Sequence, residues 1–187
     1  TQNNKYNESL NNSEKEDASN KDIKSAPDNA PLSVFNNAEF TEDMLVREKG
    51  LVRETLACFQ MISRILKIPI RKDSLEKILR DFENRGAEID LRLIGDLFSN
   101  LGLHVTNGTI PSGMASRLQT PSVIKWKESF ALIIKSSQEG ILLASPNDGL
   151  INISSDNFKE TFADEINILL LEKTNETPQK IFNLNWF

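Results

Sequence analysis

The stretch LVRETLACFQMISRILKIPI, residues 51–70, decides how the rest of the chain is read. Apolar residues recur at Leu51, Cys58, Ile62 and Ile65, and again at Val52, Leu56, Phe59 and Leu66. Two adjacent helical faces are therefore apolar, which predicts a largely buried helix over 51–66. Pro69 stops it.

Outward from that helix, DSLEKILRDFEN predicts a second one. Asp73 reads as its N-cap, Glu76 stands three residues on, and Gly86 closes it. A third helix is expected near Ile89 to Asn100, with Leu91, Ile94, Leu97 and Phe98 on one side and Gly102 as terminator. Beyond it the period changes. HVTNGTI, PSVIKWK, FALIIKSS, GILLAS, GLINIS and EINILLLEK are short, β-branched and apolar, separated by Gly, Pro, Asn and Asp. They read as antiparallel strands joined by tight turns such as SSQEG at 136–140 and PNDG at 146–149, with a short helix in SSDNFKETF. Helices first and an antiparallel sheet afterwards define an α+β fold.

Residues 1–31 are Asn, Ser, Lys, Asp and Glu with almost nothing apolar, and read as a disordered tail or linker. The expected domain spans 32–175, followed by a separate terminal segment, 176–187. The first residue is not Met, which reads as an excerpt of a longer chain. A net charge of −5 and the lack of any Lys/Arg cluster argue against nucleic acid as a partner. One cysteine excludes an internal disulfide framework and suits a reducing compartment. No apolar run approaches the ~20 residues of a membrane span, and the start has no secretory signal. No metal or cofactor site is expected: there is no cysteine pair, no second histidine and no glycine-rich phosphate loop.

A thiol nucleophile belongs near a helix N-terminus, where the dipole lowers its pKa, and needs a histidine base and a group to orient it. The chain holds one cysteine and one histidine. Cys58 lies two turns inside its helix, in line with Ile62 and Ile65, where a thiol is inert. His104 alternates with Leu103 and Val105 at the start of a strand and is expected to face solvent. Trp126, between Lys125 and Lys127, reads either as an exposed contact residue or as packed on the sheet.

The order of several motifs resembles the bacteriocin-processing cysteine peptidases, the double-glycine leader peptidases that form N-terminal cytosolic domains of certain ABC exporters. ACFQMISRILKIPI is similar to that family's helix, which reads roughly Asp-Cys-Gly-X-Ala-Cys-Leu-X-Met. IGDLFSNLGLHV is similar to its next helix, TPSVIKWKESFALII to its strand pair, LLASPNDGLINIS to its Asp-Pro-X-X-Gly segment, and EINILLLEK to its closing strand. The likeness covers about residues 44–173 and implies a papain-like fold.

Carried over residue by residue, the resemblance places the family's nucleophile at Glu54, flanked by Arg53 and Thr55, and its second, structural cysteine at Cys58. The oxyanion-hole glutamine falls near Glu48, the base histidine on Ser129 and the orienting aspartate on Ser145. The resemblance therefore implies a non-catalytic domain, like the degenerate ones of exporters similar to the haemolysin transporter of type I secretion. Its partners would be an unfolded or leader-bearing secretion substrate and the membrane and ATPase domains of the same transporter. Its place would be the cytoplasmic face of the bacterial inner membrane. Trp126 and Phe130 are the expected substrate contacts in the remnant cleft, and KIFNLNWF at 180–187 is similar to the segment before the first membrane span. Two alternatives remain open: an active leader peptidase using Cys58 with His104, and a purely structural or regulatory domain of the transporter.

Overall fold

The computed structural model describes residues 39–178. The expected tail at 1–31 and the stretch 180–187 lie outside the described residues. Three helices come first: α1 (Leu51–Leu66), α2 (Lys72–Asn84) and α3 (Leu91–Asn100). Six strands follow: β1 (Leu103–Pro111), β2 (Ser122–Trp126), β3 (Ser129–Ser137), β4 (Gly140–Ser145), β5 (Gly149–Ser154) and β6 (Glu165–Lys173). A short α4 (Phe158–Phe162) precedes β6. The strands form one sheet in the order β1-β6-β2-β3-β4-β5, with every neighbouring pair antiparallel.

Helix α1 has the expected bounds, and ten of its residues are buried, Cys58 and Thr55 among them. Its end is built by Lys67, which takes a left-handed conformation (φ 55°) and returns its N–H to the carbonyl of Ser63. Ser63 Oγ in turn donates to the carbonyl of Ile68 at 2.6 Å, so this buried hydroxyl is satisfied just before Pro69. Helix α2 departs from expectation at its start. Arg71, not Asp73, is the N-cap residue, and it makes no side-chain cap bond. Asp73 sits inside the first turn, where the helix dipole favours a carboxylate. With Arg71 as N-cap, Glu76 lies past the position that could reach back to cap the helix, and it pairs instead with Arg80 one turn on at 2.6 Å. Helix α3 begins at Leu91, and Asp90 caps it by accepting from the N–H of Leu93 at 2.8 Å.

The sheet is covered on both faces, which is why its strands read as nearly continuous apolar runs. Successive strand residues point to opposite faces. Val123, Phe130, Leu132, Ile134, Ala144, Leu169 and Leu171 pack on α1, α2 and α3. Ile124, Ile133, Ile141, Leu143, Ile166 and Ile168 meet Ala115, Leu118 and Phe158 on the other side. Phe59 of α1 stacks on Phe98 of α3 with centroids 4.1 Å apart. At Gly95 the backbone of α3 comes so close to β6 that an added Cβ would lie 3.3 Å from a methyl of Leu169. On the far face the buried hydroxyl of Ser136 donates to the carbonyl of Ala115 and accepts from the N–H of Leu118. No helix among the described residues is long and apolar enough to cross a membrane.

Candidate functional site

The N-terminus of α1 points at one end of the sheet. Its N-cap residue is Gly50, with φ of 94°, a conformation that favours glycine. The N–H of Gly50 donates to Glu54 Oε1 at 3.0 Å, so Glu54 closes its own helix end as well as sitting where the dipole favours a carboxylate. The chain just before α1 is tied to the β4–β5 turn: Glu48 N–H donates to the carbonyl of Pro146, and Arg47 Nη2 to that of Asn147 at 2.7 Å. These bonds hold the helix start beside the turn that ends β4.

Between them lies a cavity of about 290 Å³, lined by Gly50, Leu51 and Glu54 from the helix side. Trp126, Lys127, Glu128 and Ser129 line it from the β2–β3 turn, and Ser145, Asn147 and Asp148 from the β4–β5 turn. The structure thus brings together Glu54, Ser129 and Ser145, which are distant in sequence. Glu48 lies elsewhere, in a neighbouring cavity of about 240 Å³ that also contains Arg53 and Gln60.

The centre of the polar network is Asp148. Its carboxylate accepts from Lys127 Nζ at 2.8 Å and from Trp126 Nε1 at 3.0 Å, with Ser145 Oγ farther off at 3.4 Å. Its backbone N–H donates to Ser145 Oγ at 3.1 Å. The hydrogen bond from Lys127 above all, then that from Trp126, holds the Asp148 carboxyl below the usual carboxylate range against the opposing effect of burial, with smaller help from the Lys127 charge and the Ser145 hydroxyl. Lys127 reaches Asp148 from a turn in which it takes a left-handed conformation (φ 55°). Ser129, opposite Trp126 in the β2–β3 register, is buried, and its Oγ has no hydrogen-bond partner.

Of the expected contact residues, Trp126 stands at this cavity, half-buried, with its ring against Phe162 of α4 at 6.1 Å. Phe130 does not. It is 2% exposed and packs in the core between sheet and helices. The alternation of strand side chains is the reason: a strand that turns Ser129 toward the cavity must turn Phe130 to the other face. The same burial fixes Cys58. It is 1% exposed, and its thiol donates to the carbonyl of Phe130 at 3.6 Å. Burial, helped by the charge of Glu54, pushes the thiol pKa far up. His104 is exposed on β1, an outer strand of the sheet, with Glu172 as its register partner. Cys58 and His104 are therefore not brought together at the cavity. The sequence does not single out Lys127 and Asp148 as site residues; the available signal is the short spacing of SPNDG, which puts a carboxylate three residues after Ser145. Among the described residues no group of three or more His, Cys, Asp or Glu could hold a metal ion.

Helices preceding an antiparallel sheet, with a cleft where the first helix meets the strand ends, define a papain-like peptidase scaffold. Residues 47–176 match the model of the Peptidase C39 family, and the chain belongs to that family. Two solved structures share the fold. One is a double glycine motif protease from an AMS/PCAT transporter in complex with the leader peptide, at TM-score 0.58 and 13% identity, covering 75% of this chain and 96% of that one. The other is the peptidase domain of Streptococcus ComA, a bi-functional ABC transporter involved in a quorum-sensing pathway, at TM-score 0.52 and 12% identity, covering 70% of this chain and 98% of that one. No curated protein sequence matches the chain.

Proposed function

We propose that this domain is a catalytically inactive member of its family, acting in an ABC exporter to bind or position the secretion substrate on the cytoplasmic side. The observation that carries the reading is the make-up of the cavity at the start of α1. Its lining contains Glu54, Ser129 and Ser145 and neither cysteine nor histidine. Papain-type acyl transfer needs a thiolate and an imidazole within hydrogen-bond reach. Here the only thiol is one turn deeper and buried, and the only imidazole stands on β1. A carboxylate that caps its own helix at 3.0 Å is no substitute for the thiolate. The cleft itself persists, with an indole at its mouth, which supports retention of polypeptide binding. The likeness to a peptidase domain described with its leader peptide, and to that of a bi-functional transporter, supports the same partners here.

The test has two arms. The protein is incubated with a double-glycine leader peptide, and separately titrated with a reduced, alkylated, unfolded polypeptide and with its folded parent. The expected result is an intact leader peptide and saturable binding of the unfolded form alone. Cleavage that disappears in Glu54→Gln would refute inactivity. Binding of neither form would refute the docking role.

A further inference from the structure

The cavity beside α1 has a composition that selects among peptide side chains. Its lining includes three carboxylates, Glu54, Glu128 and Asp148, against one cation, Lys127. Lys127 is committed to Asp148 at 2.8 Å. Among the described residues neither Glu54 nor Glu128 forms an ion pair, so the wall carries uncompensated negative charge. Independently, Ser129 lines the same cavity at 6% exposure with an Oγ that has no partner. The Oγ itself is sealed from solvent, so its unpaired desolvation cost is recovered only by a ligand group that parts the side chains around it and pairs with it. The other such hydroxyl among the described residues, Ser122 Oγ, lies on β2 outside this lining.

We propose that this cavity is a pocket for one lysyl side chain of an extended polypeptide, with Glu54 and Ser129 as its acceptors. The proposal rests on the docking reading above and adds the chemistry that would be recognised. Several features converge on an ammonium. The cavity of about 290 Å³ is at the lower end of ligand-site volumes, the scale of a side chain rather than of a folded partner. Glu54 offers a single free oxygen, because Oε1 already accepts from Gly50. That suits the point charge of an ammonium better than the two-pronged fork of a guanidinium. Leu51 and the indole of Trp126 supply apolar wall for the methylene stem of lysine.

The experiment uses the whole chain, ¹⁵N-labelled, and follows the indole N–H resonance of Trp126, assigned with Trp126→Phe. The probes are N-acetylated, C-amidated Gly/Ser hexapeptides carrying one internal lysine, norleucine or arginine, and a lysine-free peptide with a free N-terminus. The lysine peptide is expected to shift the Trp126 resonance saturably, and norleucine to weaken binding by about tenfold, the loss of one charge-assisted contact. Glu54→Gln keeps an oxygen for the Gly50 N–H and is expected to weaken only the lysine peptide, by a similar factor. Ser129→Ala is expected to weaken it by roughly threefold. Equal binding of lysine and norleucine peptides, insensitivity to Glu54→Gln, or equal binding of the free-amine peptide would overturn the lysyl pocket while unfolded-polypeptide binding still stood. Failure of every peptide and of the unfolded polypeptide would overturn both.

Discussion

Replacing Asp148 by asparagine tests the network that shapes the cleft. The amide keeps a carbonyl oxygen for the Trp126 indole but removes the charge. Two contributions are lost. The ion pair with Lys127 spans 2.8 Å, but the lysine side chain is 61% exposed and the aspartate 24%, so solvent screens it. Such a pair contributes about 0.2–1 kcal/mol. The indole bond at 3.0 Å changes from charge-assisted to neutral, worth about 1 kcal/mol. The D148N protein is thus expected to be less stable by about 1–2 kcal/mol at pH 7, or roughly 3–8 °C in Tm. The pH dependence follows from the direction of the shift. The folded carboxyl has a lowered pKa, so its contribution is complete above the ordinary carboxylate value near 4 and is lost as pH falls through the lower folded value. Urea unfolding of both proteins at pH 7, 5 and 3 reads this out, and the gap should hold at pH 5 and narrow at pH 3. A gap below about 0.3 kcal/mol at pH 7, or one unchanged by acid, would refute the reasoning, since it would mean that the charge is not engaged.

Three further substitutions and reactions bear on the same architecture. Ser129→Ala should leave stability unchanged or raise it by up to about 1 kcal/mol in urea unfolding, because the hydroxyl it removes is buried without a partner. Cys58 should react with iodoacetamide in native protein at neutral pH only as fast as the domain opens; alkylation at the rate of an exposed thiol would contradict its 1% exposure. Phe98→Ala should cost about 3–5 kcal/mol, measured by thermal or urea unfolding, because the ring is fully buried and stacked on Phe59 at 4.1 Å.

Much of the fold was legible because its signals are local and periodic. The double apolar face of residues 51–66 needed a covering layer on each side, and α1 received it from α2, α3 and the sheet. The strands were marked by turn residues at both ends, and all six lie where their apolar runs stand. What escaped was decided by competition between neighbours. Asp73 looked like a cap, but the cap lies two residues earlier at Arg71, and Glu76, no longer three residues from the cap, pairs with Arg80. Phe130 looked like a partner for Trp126 because both are aromatic and close in sequence. Only the register, which pairs Trp126 with Ser129 and Lys125 with Phe130, shows that they face opposite ways. The Lys127–Asp148 pair joins two separate turns, and a contact of that kind leaves no periodic trace.

The bond from the Cys58 thiol to the Phe130 carbonyl has a consequence for how such a cleft can change over time. It joins the helix to the strand directly beneath the cavity, and the packed ring of Phe130 reinforces the join. The spacing between the two walls is therefore set partly in the interior, where Cys58 and Phe130 pack, and partly at the helix start, where Glu48 and Arg47 bond the β4–β5 turn. A socket framed partly from within keeps much of its width when a side chain on its rim is replaced.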